Sequence, residues 1–207
     1  MILPVPALPH PDPDAEATVI VVPGLRDHVA EHWQTHLAEA LTAAGREVRT
    51  LAPLTEEMFS RAARVAALEA AVASAPGPVV LVAHSAGVVT TVHWAARHRT
   101  ATVRGALLAT PPDLDKPMHA PHPSREVLEA NGWFPVPRAQ LPFPSVVAAS
   151  SDDPLADLDR VRGLARDWGS RLVLLGPVGH LNPASGHGPW PKAEQLLREV
   201  EEGRAGG

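Results

Sequence analysis

The stretch VVLVAHSAGVV at residues 79–89 decides the fold of this chain. Residues 79–82 are apolar and mostly β-branched, and they follow a Pro-Gly-Pro turn, a pattern typical of a strand that is buried on both faces. Residues 88–97 have the character of a helix. A buried strand that turns sharply into a helix at a serine predicts a nucleophile elbow, which would present the Ser85 hydroxyl at the turn.

Very small residues flank Ser85, as this kind of turn requires. Ala83 stands two residues before the serine and Gly87 two residues after it, where a strained and crowded backbone leaves almost no room for a side chain. The first of these positions is more often glycine. Ser85 could instead cap the following helix, but the strand and the helix on either side of it favour a nucleophile.

Strand-like and helix-like segments alternate along the rest of the chain. Strands are predicted at residues 18–23, 48–52, 79–82, 103–109, 146–149 and 172–175, and helices at 29–44, 60–75, 88–97, 158–168 and 191–201. This alternation predicts a compact α/β fold with a mostly parallel central sheet and helices on both of its faces.

A long connection rich in proline interrupts the alternation at residues 110–144, with one helical turn predicted near residues 125–130. A structureless connection of this length usually has a functional role. The chain has 207 residues, which leaves little material for a large lid domain, so none is predicted. Residues 18–202 are predicted to form a single domain, between a flexible Pro-rich arm at 1–17 and a disordered tail at 203–207.

The composition excludes several classes of function. A formal net charge of −5 gives no electrostatic reason to expect nucleic acid or an anionic membrane as a partner. The absence of cysteine removes disulfides, thiolate nucleophiles and cysteine-type zinc sites. No apolar run approaches the ~20 residues that a membrane-spanning helix needs, and the amino terminus carries no signal-peptide pattern. A cytoplasmic location is therefore predicted, whereas the oligomeric state is not predicted by the sequence.

Partners for Ser85 are expected beyond the carboxyl ends of the strands, where the chemistry of parallel α/β sheets gathers. The predicted strand ending near residue 149 is followed by an acidic turn that contains Asp152 and Asp153. The strand ending near residue 175 is followed by a glycine-containing loop that carries His180, with His187 as an alternative base. The order serine, aspartate, histidine along the chain is the order of α/β-hydrolases.

Each residue type suits a step of acyl transfer. A serine hydroxyl needs a base such as His180 to remove its proton, and a carboxylate holds the imidazole in one tautomer. The negative oxygen of the tetrahedral intermediate needs backbone donors, one from Ala86 and one from the loop after the first strand, where Leu25 follows Pro23 and Gly24. His84 stands beside the nucleophile, where we expect a structural hydrogen-bonding role.

Several short motifs support a family resemblance. In chain order they are Val22-Pro23-Gly24, His32-Trp33-Gln34, the elbow at 83–87, the acidic turn at 150–154, Gly179-His180-Leu181-Asn182, Ala184-Ser185-Gly186 and Trp190-Pro191. Together they resemble the small serine hydrolases typified by retinoblastoma-binding protein 9 and YdeN, over residues 18–200. The resemblance implies a compact α/β-hydrolase with Ser85 as nucleophile, Asp153 as acid and His180 as base, acting on small carboxylic esters without a cofactor.

The remaining candidates concern the substrate pocket and the class of function. Trp133 and Phe134 could line an acyl pocket or could anchor the long loop by packing. His119 and His122 have no carboxylate at zinc-ligand spacing, so no metal site is predicted. The leading hypothesis is an esterase for small-molecule ester or acyl substrates, with thioesterase and peptidase as variants of the same chemistry. A noncatalytic protein-interaction module on a hydrolase scaffold is the alternative of a different class.

Overall fold

Six strands form one sheet in the computed structural model, which describes residues 16–26, 29–98, 102–118 and 120–203. The strands are β1 (Thr18–Val22), β2 (Val48–Thr50), β3 (Val79–His84), β4 (Val103–Ala109), β5 (Ser145–Ser150) and β6 (Arg171–Gly176). They are all parallel to their neighbours, in the order β2-β1-β3-β4-β5-β6. The α/β-hydrolase fold predicted from the sequence is therefore confirmed.

Helices cover both faces of this sheet. They are α1 (Trp33–Ala43), α2 (Arg61–Ala73), α3 (Ala86–Ala95), α4 (Arg125–Ala130), α5 (Leu158–Trp168) and α6 (Lys192–Glu201). On one face the side chains of α2, α3 and α5 pack against the sheet, and on the other those of α1 and α6 do so. Because successive residues of a strand point to opposite faces, Val19 and Ile20 of β1 belong to different cores.

The strand β3 explains the apolar run that opens the decisive stretch. All six of its residues are buried, because β1 and β4 flank it and helices cover both of its faces. The chain passes from β1 outward to β2 and then returns to β3 on the other side of β1. The carboxyl ends of β1 and β3 thus meet where the strand order reverses, a place where ligands commonly bind in such sheets.

The long connection after β4 packs against the elbow instead of extending into solvent. Leu114, Leu128 and Trp133 are buried there and form a small core with Ala86 and Val89 of α3. Its helical turn was predicted at residues 125–130, where α4 lies. This packing places the loop beside the residue that precedes α3, which is Ser85.

The first helix and the second strand are among the elements whose limits differ from those predicted. The first helix begins at Trp33 and not at residue 29, because His32 caps it: the His32 Nδ1 atom accepts a hydrogen bond from the Gln34 N–H at 3.2 Å. The second strand ends at Thr50 and not at residue 52. Both limits depend on hydrogen bonds that a local apolar pattern does not specify.

The ends of the predicted domain fall partly outside the described residues, which begin at residue 16 and end at residue 203. Ala17, assigned to the arm from the sequence, is buried, and its carbonyl accepts a hydrogen bond of 2.7 Å from Arg46. Arg46 also forms ion pairs with Glu16 and, on α6, with Glu201. The arm at residues 1–15 and the tail at 204–207 remain predictions. Within the described ranges, no helix is long and apolar enough to cross a membrane.

Candidate active site

Ser85 occupies the single-residue turn between β3 and α3, with backbone angles φ 55° and ψ −125°. A positive φ is costly for a residue with a side chain, so the surrounding structure must hold this conformation. A Cβ atom added to Gly87 would lie 2.1 Å from the Val22 carbonyl oxygen, closer than real atoms approach. The glycine two residues after the serine is therefore required for α3 to begin against the end of β1.

The structure brings the three residues predicted as a triad into one hydrogen-bonded chain. The His180 Nε2 atom lies 2.8 Å from the Ser85 Oγ atom. The His180 Nδ1 atom lies 2.9 and 3.0 Å from the two carboxylate oxygens of Asp153. An N–H on Nδ1 that donates to the carboxylate leaves Nε2 free to accept the serine proton. Both His180 and Asp153 are buried, which protects this chain from bulk water.

Asp152 and His187, the alternatives to Asp153 and His180, lie outside this hydrogen-bonded chain. Asp152 holds the histidine loop, because its Oδ1 atom accepts hydrogen bonds from the Gly179 N–H at 2.7 Å and from the Ser150 hydroxyl at 2.8 Å. These two bonds, first that from Gly179, lower the pKa of Asp152 below its ordinary value. The imidazole at hydrogen-bonding distance from the Ser85 hydroxyl is that of His180, whereas His187 follows the turn after it.

The loop that carries His180 is fixed by its own polar residues. The Ser185 hydroxyl accepts a hydrogen bond from the His180 N–H at 3.0 Å, and the Asn182 side-chain oxygen in turn accepts one from that hydroxyl at 2.9 Å. Gly179 has φ 54°, and a Cβ atom there would lie 2.6 Å from the Ser185 side chain. The Gly-His-x-Asn-x-x-Ser spacing thus allows a single turn to hold the backbone of His180 in place.

His84 and Gln34 hold segments together at the carboxyl ends of β1 and β3. The His84 Nε2 atom lies 2.9 Å from the His180 carbonyl oxygen and so links the elbow to the histidine loop. The buried Gln34 side chain of α1 donates to the Val82 carbonyl at 3.0 Å and to the Val22 carbonyl at 3.4 Å. Sequence reasoning gave Gln34 no role of its own; its signal was a polar residue on the buried face of an amphipathic helix.

The two residues whose N–H groups were predicted as oxyanion donors both lie beside Ser85. Leu25 and Ala86 line the same cavity as the Ser85 side chain. A Cβ atom on Gly24 would lie 3.4 Å from the Ser85 Cβ atom, so the loop after β1 approaches the serine closely. The loop therefore borders the cavity directly beside the Ser85 side chain.

The cavity next to Ser85 has a volume of about 350 Å³. Its walls are mainly apolar and include Leu25, Phe59, Leu114, Met118, Leu128 and Trp133. Trp133 is both a wall and an anchor, because its indole N–H donates to the Phe59 carbonyl at 2.6 Å. Phe134 lies along a neighbouring cavity instead, where the Arg125 guanidinium stands 4.4 Å from its ring centroid. His122 also lines the Ser85 cavity, while His119 is outside the described residues.

His93, on α3, supports the wall formed by Trp133. It is buried, and its Nε2 atom lies 3.1 Å from the Trp133 carbonyl oxygen. Burial, together with the nearby Arg61 and Arg97 guanidinium groups, lowers the pKa of His93 to about 4 despite this hydrogen bond. The side chain is therefore neutral at neutral pH and donates to the Trp133 carbonyl.

We expect His93 to make the folded protein less stable as the solution becomes acidic. Its pKa falls from 6.5 to about 4 on folding, so the unfolded chain binds the proton more readily. The contribution of the neutral imidazole is present above pH 6.5 and is lost as the pH falls toward 4. Between pH 7 and pH 5 this group alone should lower the free energy of unfolding by about 2 kcal/mol.

The measurement is denaturant unfolding of the wild type and of His93→Gln at both pH values. Glutamine can still donate to the Trp133 carbonyl but does not titrate in this range. We expect the wild type to lose about 2 kcal/mol more stability than the variant. Equal losses in the two proteins would show that His93 does not titrate as the structure indicates.

Comparison with known proteins agrees with this fold. A YdeN-like hydrolase from Pectobacterium atrosepticum has a similar structure, with a TM-score of 0.74 and 26% sequence identity over 90% of this chain and 91% of its own. The ydeN gene product from B. subtilis is similar over 90% of this chain and 100% of its own, with a TM-score of 0.68 and 16% identity. Est1E from Butyrivibrio proteoclasticus, with ferulic acid bound, has a TM-score of 0.64 and 12% identity over 94% of this chain and 91% of its own. The last two likenesses concern the fold alone.

Sequence comparison assigns the family. No curated protein sequence matches the chain at a significant level. The family model described as serine hydrolase, in contrast, matches residues 19–199, which include every strand except the first residue of β1. On the strength of that match, this chain belongs to the serine hydrolase family.

Proposed function

We propose that this protein hydrolyses small carboxylic esters through an acyl-enzyme intermediate on Ser85. The observation that carries the proposal is the continuous hydrogen-bonded chain from the Asp153 carboxylate through the His180 imidazole to the Ser85 hydroxyl. Ser85, at one end of these hydrogen bonds, lines a cavity that would hold the acyl group. Membership of the serine hydrolase family supports a hydrolytic reaction, and the site supports a serine as its nucleophile.

Acylation begins when the Ser85 Oγ atom attacks the carbonyl carbon of the ester. His180 Nε2 takes the hydroxyl proton as the new C–O bond forms, and the Asp153 carboxylate stabilises the resulting imidazolium. The tetrahedral intermediate then collapses, and the bond to the alcohol oxygen breaks. That oxygen takes the proton from His180, so a neutral alcohol leaves and the acyl group stays on Ser85.

Deacylation repeats these steps with water. His180 Nε2 removes a proton from a water molecule, whose oxygen attacks the acyl carbon. The second tetrahedral intermediate expels the Ser85 oxygen, which recovers its proton from His180, and the carboxylic acid is released. In both halves the negative oxygen would accept hydrogen bonds from the Leu25 and Ala86 N–H groups, each worth roughly 3 to 4 kcal/mol in the transition state.

The size and lining of the cavity favour a short or compact apolar acyl group. The described cavity has a volume of about 350 Å³. Est1E, which shares the fold, has been solved with ferulic acid bound, a compact aromatic acid. An apolar wall that includes Phe59 and Trp133 suits a substrate of similar size. The same acyl-enzyme would serve a thioester, so thioester hydrolysis is a variant of this proposal.

We expect short-chain esters to be hydrolysed with a higher kcat/KM than long-chain esters. Each methylene buried in the cavity adds about 0.8 kcal/mol of binding, but a chain longer than the cavity cannot be seated with its carbonyl group at Ser85, so further methylenes lower the rate. A series of p-nitrophenyl esters from acetate to palmitate, assayed below the concentration at which each aggregates, measures this. The specificity constant should reach its maximum at an acyl chain of a few carbons and then fall by at least about tenfold. A maximum at palmitate would contradict the proposed pocket.

The proposal is tested first by the intact mass of the protein after incubation with a fluorophosphonate. A nucleophilic serine that is activated by its base displaces fluoride and gains one phosphonyl group. We expect one adduct, mapped by peptide sequencing to Ser85. A folded wild-type protein that gains no adduct would refute the esterase proposal and would leave the protein-interaction module as the leading hypothesis.

A further inference from the structure

The loop that follows β1 borders two cavities, which are lined by different functional side chains. Pro23 and Gly24 border both of them. One is the cavity lined by Ser85, and the other, with a volume of about 250 Å³, is lined by Arg64 of α2. The serine and the guanidinium therefore lie on opposite sides of the same short backbone segment.

Arg64 holds the carbonyl groups of this loop. Its Nη1 atom donates to the Gly24 carbonyl oxygen at 3.0 Å and, at 3.5 Å, to that of Pro23. Its Nη2 atom donates to the Leu25 carbonyl oxygen at 3.1 Å. One guanidinium thus contacts three successive carbonyl groups, which matches its rigid, planar arrangement of donors.

Because a trans peptide group is planar, the position of the Gly24 carbonyl fixes the direction of the Leu25 N–H. The Gly24 carbonyl and the Leu25 N–H belong to one peptide group, in which the two point in opposite directions. Because the Gly24 carbonyl accepts a hydrogen bond from Arg64, the Leu25 N–H points away from the guanidinium. Leu25 also lines the Ser85 cavity, where an oxyanion donor is needed.

We propose that Arg64 is a positioning residue that orients the Leu25 N–H as an oxyanion donor. The proposal rests on the proposed esterase function and adds a residue that does not itself touch the substrate. The positive guanidinium also polarises the peptide group that it binds, which makes the Leu25 N–H a stronger donor. Hydrogen bonds already in place cost no rearrangement when the negative charge develops.

The helix that carries Arg64 provides a rigid base. The Ser60 hydroxyl caps α2 by accepting a hydrogen bond from the Ala63 N–H at 3.2 Å, and Val65 and Leu68 are buried in the core. The Arg64 Nε atom also donates to the Met58 carbonyl at 3.1 Å. Because Met58 lines the Ser85 cavity, loss of this last bond would alter substrate binding, whereas loss of the loop contacts would alter the chemical step.

The test compares Arg64→Met and Arg64→Lys with Arg46→Lys. Arg46 is a suitable control because it holds the Ala17 carbonyl at the other end of β1, far from the serine. We expect Arg64→Met to lower kcat by about 10- to 100-fold, a fraction of the loss caused by removing an oxyanion donor outright, with KM changed by less than about threefold. Arg64→Lys, which cannot span three carbonyls, should lose about tenfold. Arg46→Lys should keep the wild-type kcat.

A second readout separates positioning from a general loss of structure. An alkyl boronic acid forms a tetrahedral, negatively charged adduct with the serine and so resembles the transition state, whereas the carboxylic acid product stays planar and forms no bond to Ser85. Arg64→Met should weaken boronate binding by the factor by which it lowers kcat and leave product binding within about twofold. In Arg64→Ala, added guanidinium chloride at concentrations that do not unfold the protein should restore part of the lost kcat.

The outcomes of these experiments separate the role of Arg64 from the esterase function on which it rests. A wild type that the fluorophosphonate does not label would refute the esterase function, and the role of Arg64 with it. A labelled wild type together with a fully active Arg64→Met would refute only the role of Arg64. A loss confined to KM, or an equal weakening of boronate and product binding, would assign Arg64 to the cavity wall near Met58 and not to the oxyanion hole.

Discussion

Replacing Ser85 with alanine is expected to lower kcat/KM for a short-chain ester by about 10⁴- to 10⁶-fold. Alanine removes the hydroxyl oxygen that lies 2.8 Å from the His180 Nε2 atom and leaves no atom to form the acyl bond. The backbone N–H groups of Leu25 and Ala86 would remain, so a residual rate of about 10³- to 10⁴-fold over uncatalysed hydrolysis is compatible with the proposal. Steady-state kinetics on p-nitrophenyl butyrate, with fluorophosphonate labelling as a second readout, measures the loss.

Ser85→Gly provides the matched companion to this variant. Glycine also lacks the hydroxyl, but it adopts the observed φ of 55° without steric cost, whereas alanine does not. We expect both variants to be inactive and the glycine variant to have the higher free energy of unfolding, by about 1 kcal/mol. Denaturant unfolding at neutral pH compares them. Retention of more than a tenth of the wild-type activity by either variant would contradict a covalent role for Ser85.

The elbow was predictable because its requirements are local. A buried strand needs an apolar run, and a one-residue turn needs small neighbours, so residues 79–89 carry the whole pattern within eleven positions. The histidine loop could be predicted for a similar reason, since the Asn182 and Ser185 contacts lie within five residues of His180. The sequence thus predicted the three residues that the structure brings into hydrogen-bonding distance, and their catalytic roles remain predictions.

Other parts of the site depend on contacts between distant segments, which a local pattern cannot specify. Arg64 lies about forty residues from the carbonyls that it holds, and its sequence context is an ordinary alanine-rich helix. His93 lies forty residues from Trp133, and only its burial beneath that loop distinguishes it from a surface histidine. Phe134 follows Trp133 directly, yet the turn of the chain there directs the two rings to different cavities.

Replacing His180 with alanine is expected to reduce kcat/KM nearly as much as loss of the nucleophile, by about 10⁴- to 10⁶-fold. The residues of a triad act as a unit, because an unactivated hydroxyl attacks an ester very slowly. His187→Ala is the matched control, since His187 was the alternative base and lies on the same segment of the chain. We expect that control to remain within about threefold of the wild type, as is usual for a side chain outside the reacting groups.

Asp153→Asn extends the same prediction to the carboxylate. An asparagine side chain can present an N–H to His180 Nδ1, which would favour the tautomer whose proton is on Nε2 and would leave the Ser85 hydroxyl without an acceptor. We expect a loss of about 10³- to 10⁴-fold, measured as kcat/KM at neutral pH. Asp152→Asn should lose far less, because Asp152 supports the loop through Gly179 and not the imidazole. An inactive Asp152→Asn beside an active Asp153→Asn would reverse the assignment of the two carboxylates.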